Sequence, residues 1–450
     1  MKTSFLILLA TVIGFGSVFA GGDDPYRIDL STALRLADAD NTQIALAKER
    51  VKQAEAELTL ARVLILPDLS AGASYNHHDG PLQETNGNIL DVKRSSGYAG
   101  LGSGAIGAGD VQVSGIGLHL DLGEALYAPL VARQHLLAVK AESKATKNQM
   151  LFTVAAAYFE LVRAQGNLEI SIEAYKNASD LAKTTKSFAD TGQGLTSDSE
   201  RSGVEALVRQ RGIAVARELL AVHSVELARL LRLKAGTKLR ATSSPEAHVQ
   251  WVDASRDVDT LITEALSNRP EMKVGDAQVK GAEQSLSRTR LAPLFPKVSV
   301  GASTGAYGGG RGSTLSSTSN RTDLSVGIYW TLEGFGFGQL ARVKEMRSLK
   351  EQARLSRVEV EDGVAAQVLV AWAAVKNRKS QIATVAEAVI KARRSYELNR
   401  TRVFENQGLP IETLQAIQSL ATARGMHRDA VIDYNLAQFQ LYTALGQPAK

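Results

Sequence analysis

The chain has 450 residues, 52 Lys and Arg against 47 Asp and Glu, a net charge of +5 and no cysteine. The absence of cysteine excludes disulfide scaffolds, Cys-ligated metals and Cys nucleophiles, and so small a net charge argues against a nucleic-acid footprint. The residues are 44% apolar but only 6% aromatic, with 38 Gly and 10 Pro. That balance points to long, closely packed helices.

Met1-Lys2-Thr3 followed by the apolar run Phe5–Phe15 and Ser17-Val18-Phe19-Ala20 has the layout of a secretory signal peptide over residues 1–20. No later stretch has the 18 or more apolar residues of a membrane-spanning helix. An exported chain of this kind is periplasmic, secreted or an outer-membrane β-barrel protein.

The remainder divides into two copies, 21–240 and 241–450. VKQAEAELTLAR at 51–62 is matched by VKGAEQSLSRTR at 279–290, LPDLSAGAS at 66–74 by FPKVSVGAS at 295–303, and TGQGL at 191–195 by ENQGL at 405–409. Tyr158 aligns with Trp372. Chance likeness of Ala/Glu-rich helices accounts for the first match, but not for all of them arriving in one order.

Each copy opens on a helix; in the first it runs from Leu30 to Leu66 and is stopped by Pro67. Two alternating segments follow, about 68–77 and 111–122 in the first copy and about 297–306 and 322–332 in the second. Gly-rich loops are expected between them at 78–110 and 307–321, and the phase slip near Ser114–Ile116 marks a bulge or a later strand start. Helices of roughly 67 residues come next, from about Glu124 to Thr191 and from Gln339 to Glu405, about 100 Å each at 1.5 Å per residue. Their three-and-four apolar spacing is that of a coiled coil. The QGL turns end them, and helices of about 38 residues return. Two short helices stacked end to end thus match one long one.

The alternating segments carry one apolar and one small polar face, for example Leu69, Ala71, Ala73 and Tyr75 against Ser70, Gly72, Ser74 and Asn76. This is the pattern of transmembrane β-strands. In lipid only closed barrels satisfy the backbone, and four strands cannot close one, so several chains must contribute. The soluble alternative is a small antiparallel domain capping a helical bundle. Tyr75, Tyr307, Tyr329 and Trp330 are candidates for an interfacial girdle, with core packing the alternative.

Signal peptide, duplicated helix–strand–strand–helix–helix units, the AEAEL…ARVLILPDLSAGAS block and GLPIETLQAIQSLATAR together resemble the outer-membrane factor family, the TolC-like efflux ducts. The resemblance covers essentially the whole mature chain. It implies an α+β membrane protein: a homotrimer with a 12-stranded barrel in the outer membrane of a Gram-negative bacterium and a long α-helical barrel in the periplasm. It also implies partnership with a periplasmic adaptor and an inner-membrane pump. Many members carry a lipidated Cys at the mature N-terminus; this chain has Gly21-Gly22 and resembles the unlipidated subset.

The resemblance further places the turns Gly194-Leu195 and Gly408-Leu409 at the periplasmic tip, where adaptors dock, and puts Glu412, Gln415, Asp198 and Glu200 at the gate. Gln415 stands where many members have a second acid, so the two-acid pattern is incomplete. Carboxylates in a first helical turn are equally what the helix dipole favours.

Nothing in the sequence forms a catalytic or cofactor constellation. Gly102–Gly107 fits GxGxxG but precedes a strand instead of opening a helix. His77-His78-Asp79 reads as a solvated strand end before it reads as a metal site. The alternative function is an exported trimeric coiled-coil structural or adhesin-like protein without a channel. Such a protein has no need of a duplicated strand pair.

Overall fold

The computed structural model describes residues 24–103, 113–331 and 333–447. The signal-like segment 1–20, Leu332 and most of the GxGxxG match lie outside them. In chain order the first half holds β1 (Tyr26–Ile28), α1 (Leu30–Asp40), α2 (Thr42–Val63), β2 (Asp68–Leu69), β3 (Ala71–Gln83), β4 (Ile89–Ser103), β5 (Val113–Ser114), β6 (Ile116–Asp121), α3 (Leu122–Asp190), α4 (Thr196–Leu230) and β7 (Leu239–Ala241). The second half holds α5 (Val258–Asn268), α6 (Pro270–Leu291), β8 (Lys297–Arg311), β9 (Ser319–Tyr329), α7 (Phe337–Phe404) and α8 (Pro410–Ala444).

The long helices have 69 and 68 residues and the returning helices 35 each. α3 accommodates Pro129. That residue is the eighth of the helix, where its ring removes one bond from the i→i−4 ladder. The expected single opening helix is instead two, broken at Asn41, whose extended backbone caps α2 while its side chain accepts from Gln43 and Ile44 N–H. Its amide also donates to the Leu230 carbonyl at the end of α4. The break therefore lies where the two short helices meet end to end. The parallel pair β1 and β7 ties the same junction.

Three zones of core follow the length of α3. Leu136 packs with Ala54 and Leu58 of α2 near the strands. Tyr158, Leu161 and their neighbours pack with α1, the end of α4 and Phe439 midway along. Leu181 and Ala178 pack with Ile417 and Val403 toward the turns. The segment between the two copies is clamped at mid-length: Tyr158 Oη lies 2.7 Å from Ser243 Oγ, and Trp372 Nε1 donates to Ala254 O. The Gln438 amide accepts from Trp251 and Val252 N–H and donates to Val252 O.

The sheet corrects the expected loops. Residues 78–103 are not a loop; β3 continues to Gln83, turns, and pairs with β4 in an unbroken antiparallel register from Gln83↔Ile89 to Gly72↔Gly100. β4 pairs with β8 over Arg94↔Arg311 to Leu101↔Thr304, and β6 continues the same side of β8 from Ile116↔Ala302 to Asp121↔Lys297. β4 and β6 thus share one ladder position beside β8. Gly-rich sequence hid this hairpin, because glycine faces carry no alternation to read. β8 extends to Arg311 and β9 starts at Ser319, so the second loop is also shorter than expected. Four ladder positions result, with β3 and β9 at the two edges.

Candidate functional site: channel wall and helix-tip turns

The register sorts every strand residue to one of two faces. Leu69, Ala71, Ala73 and Tyr75 share a face with Ile116, Leu118, Leu120, Val298, Val300, Leu324, Val326 and Ile328. That face is bare: Leu69 is 72% exposed, Leu324 76% and Val326 67%. An apolar surface of this extent on an antiparallel sheet does not stay in water. The opposite face carries Gly72, Ser74, Asn76, Gly100, Ser299, Gly301, Gly305 and Gly327, the small polar lining of a water-filled interior.

Charges on the inner face are largely paired. Arg321 binds Asp323 at 2.7 Å and lies over the Tyr307 ring, and Lys297 lies 3.6 Å from Asp121. Glycine permits a close approach between β4 and β8: a Cβ on Gly305 would stand 2.5 Å from the Ala99 carbonyl oxygen.

Tyr307 and Tyr329 fall on the inner face by register, so neither belongs to an outward girdle. Tyr75, 57% exposed, faces outward by register, and Trp330, 62% exposed, follows the end of β9. His77 and His78 also fall on opposite faces: His77 Nδ1 meets Ser95 Oγ, while His78 Nε2 meets Gly80 O. Asp79 is engaged by Lys93 at 2.6 Å. Adjacent side chains of a strand cannot converge on one ion, and the described residues contain no cluster fit for a metal.

At the other end of the molecule the two tip turns have one geometry. Gln193 and Gly194 N–H both donate to Phe188 O, and Gln407 N–H donates to Arg402 O. Gly192 has φ +72° and Asn406 φ +59°, the left-handed closing position of each long helix. Gly194 and Gly408 pack under the side chains of Phe188 and Arg402, where a Cβ would come within 2.9 and 2.8 Å. Leu195 and Leu409 then stand at the N-caps, both largely exposed. Asp198 and Glu412 occupy the first turns of α4 and α8. Gln415 and Glu200 are exposed nearby.

Among the described residues no hydrogen bond or ion pair joins these four to one another. Each turn instead pairs its acid with an arginine, Arg402–Glu412 at 3.4 Å and Arg201–Asp198 at 4.0 Å. The sequence reading missed both arginines. The Arg201–Asp198 spacing of three was the available signal, whereas Arg402 reaches Glu412 only through the turn.

Residues 261–447 match the family described as outer membrane efflux protein. With the paired long helices and the bare apolar sheet, this match makes the chain similar to that class, the outer membrane efflux proteins. Among its relatives is the pyoverdine export outer membrane protein OpmQ of Pseudomonas aeruginosa, 21% identical over 93% of this chain and 85% of the relative. The fold is shared with the Campylobacter jejuni outer membrane channel CmeC at TM-score 0.78 and 16% identity, covering 93% of this chain and 85% of that one. It is also shared with the Vibrio cholerae outer membrane protein VceC at TM-score 0.75 and 17% identity, covering 93% and 96%. No described helix is long and apolar enough to cross a membrane.

Proposed function

We propose that three copies of this chain close a passive duct from the periplasm to the exterior. The observation that carries this is the sheet with two open edges. β3 and β9 run antiparallel to each other across the four positions, so β9 of one copy and β3 of the next continue the ladder without a break in sense. Open edges in lipid leave backbone groups unsatisfied. Twelve strands close the barrel, and the repeats 21–240 and 241–450 give the shaft six near-equivalent helical sectors.

The tip turns are the contact and closure end. Gly194-Leu195 and Gly408-Leu409 present exposed leucines for a periplasmic adaptor, which links the duct to an inner-membrane pump. Asp198, Glu200 and Glu412, with Gln415, line the closure, where rings of carboxylates bind cations and disfavour anions. The relative OpmQ, a pyoverdine export outer membrane protein, supports export as the kind of traffic.

Reconstitution in planar bilayers tests the reading. Stable single-channel conductance from particles of trimer mass is expected. A monomer that never conducts overturns it.

A further inference from the structure

Arg94 of β4 and Arg311 of β8 are direct cross-strand partners, and His78 of β3 stands on the other side of Arg94. All three belong to the inner face, since His78, Arg94 and Arg311 alternate with the outward-facing His77, Ser95 and Gly310. Two like charges directly opposite across an antiparallel ladder destabilise it. Elsewhere this sheet avoids that cost: Lys93, Arg321 and Lys297 each hold a carboxylate. Arg94 and Arg311 hold none among the described residues, and Arg94 Nε is buried without a hydrogen-bond partner. Guanidinium forks so placed bind oxyanions in a bidentate manner.

The height of the row is fixed by the strands. His78 lies ten residues along from Asp68, which follows the helical shaft, and that is about 33 Å of strand. The apolar outward face has ended by this level, where Asp79 and Lys93 pair on the outside. The row therefore belongs to the distal mouth of the interior, at the opposite end from the tip turns.

We propose that Arg94 and Arg311, flanked by His78, form an oxyanion-binding ring inside the exit of the channel, repeated three times around the barrel. Its ligands are small solutes bearing phosphate or carboxylate groups that pass through the duct. The ring supplies an anion-favouring exit beyond the carboxylates of the tip. This rests on the trimeric duct proposed above.

The test is single-channel recording with inorganic phosphate added to the exterior side. The wild type is expected to show concentration-dependent block by phosphate. Arg94→Gln with Arg311→Gln is expected to raise the half-blocking concentration at least about fivefold, the loss of a charge-assisted contact. Arg94→Lys with Arg311→Lys is expected to weaken block less, and Lys93→Gln, which removes a charge at the same height on the outer face, to leave it unchanged. Trimer mass of each variant is checked by native electrophoresis. Conductance in which the double Gln variant blocks like the wild type, or Lys93→Gln weakens block equally, overturns the ring while leaving the duct standing. Absence of conductance in the wild type overturns the duct itself, and the ring with it.

Discussion

Gly192 and Asn406 occupy the same position in two turns 214 residues apart, and both are left-handed. Glycine reaches that conformation freely, and asparagine is the side chain that tolerates it best. Asn406→Gly is therefore expected to leave stability within about 0.5 kcal/mol, and Asn406→Val to cost about 1–2 kcal/mol. Hydrogen exchange at the amides of residues 403–410 reads the effect locally, before global melting responds. Equal protection in both variants would show that the turn does not depend on this backbone state.

Glu412 and Arg402 are both substantially exposed, so the pair contributes under about 1 kcal/mol to folding. Glu412→Ala is expected to leave the melting temperature within about 2 °C while reducing block by divalent cations added from the periplasmic side. Adding Asp198→Asn should reduce it further. Unchanged cation block in both would remove these carboxylates from the gate.

How far the sequence reached is clearest in the same elements. The turns were legible because QGL recurs and the long helices carry a heptad-like stripe. The break at Asn41 was not, since the apolar pattern continues through it and only the Leu230 carbonyl, 189 positions away, explains it. The start of β3 is legible in the alternation of 68–77, but its far half and β4 read as loop because Gly97, Gly100 and Gly102 give a strand no periodic signature. Arg94 and Arg311 were invisible as a pair until the register set them opposite each other.

Gly305 and its cross-strand partner Gly100 face each other where the two halves of the sheet approach closely. A methyl group there would stand 2.5 Å from Ala99 O and 2.9 Å from both Gly100 Cα and Tyr98 Cζ. Neither backbone can move without breaking the β4–β8 ladder. Gly305→Ala is expected to abolish heat-resistant trimers in semi-native electrophoresis, whereas Gly327→Ala, which meets nothing within 4 Å, should assemble normally. Normal assembly of Gly305→Ala would mean that this register does not persist in the closed barrel.

Asp29 caps α1, accepting from Thr32 N–H and Ser31 Oγ at 2.9 Å each. Hydrogen bonds from Thr32, side chain and backbone, and from Ser31 hold its carboxyl below the ordinary value of 3.8. A depressed carboxyl stabilises the fold at pH values above its unfolded pKa, and the contribution is lost as pH falls through the lower folded value. Asp29→Ala is expected to cost about 1 kcal/mol near pH 7, and the gap between variant and wild type should close in acid below the ordinary carboxylate range. A gap that stays constant down to that range would show that the cap is not acting through its charge.

Arg163 joins α3 of the first copy to α8 of the second, donating to Asp429 Oδ1 at 2.6 Å and Asp433 Oδ1 at 2.7 Å while also pairing with Glu160. It is only 22% exposed. Burial works against its charge, but the Asp433 and Asp429 hydrogen bonds and the neighbouring Glu160 outweigh that and keep the guanidinium protonated. Removing it leaves Glu160 and Asp433 without that cation and Asp429 held by Arg428 alone at mid-shaft, the acids partly screened by water because each is more than a third exposed. Arg163→Met is therefore expected to cost about 2–3 kcal/mol, less than a fully buried pair. Arg163→Met with Asp429→Asn and Asp433→Asn should recover most of that loss, because the repulsion goes with the charges. Chemical denaturation of the three proteins measures it. A triple variant no more stable than Arg163→Met would show that Arg163 acts through packing of its stem and not through the acids it holds.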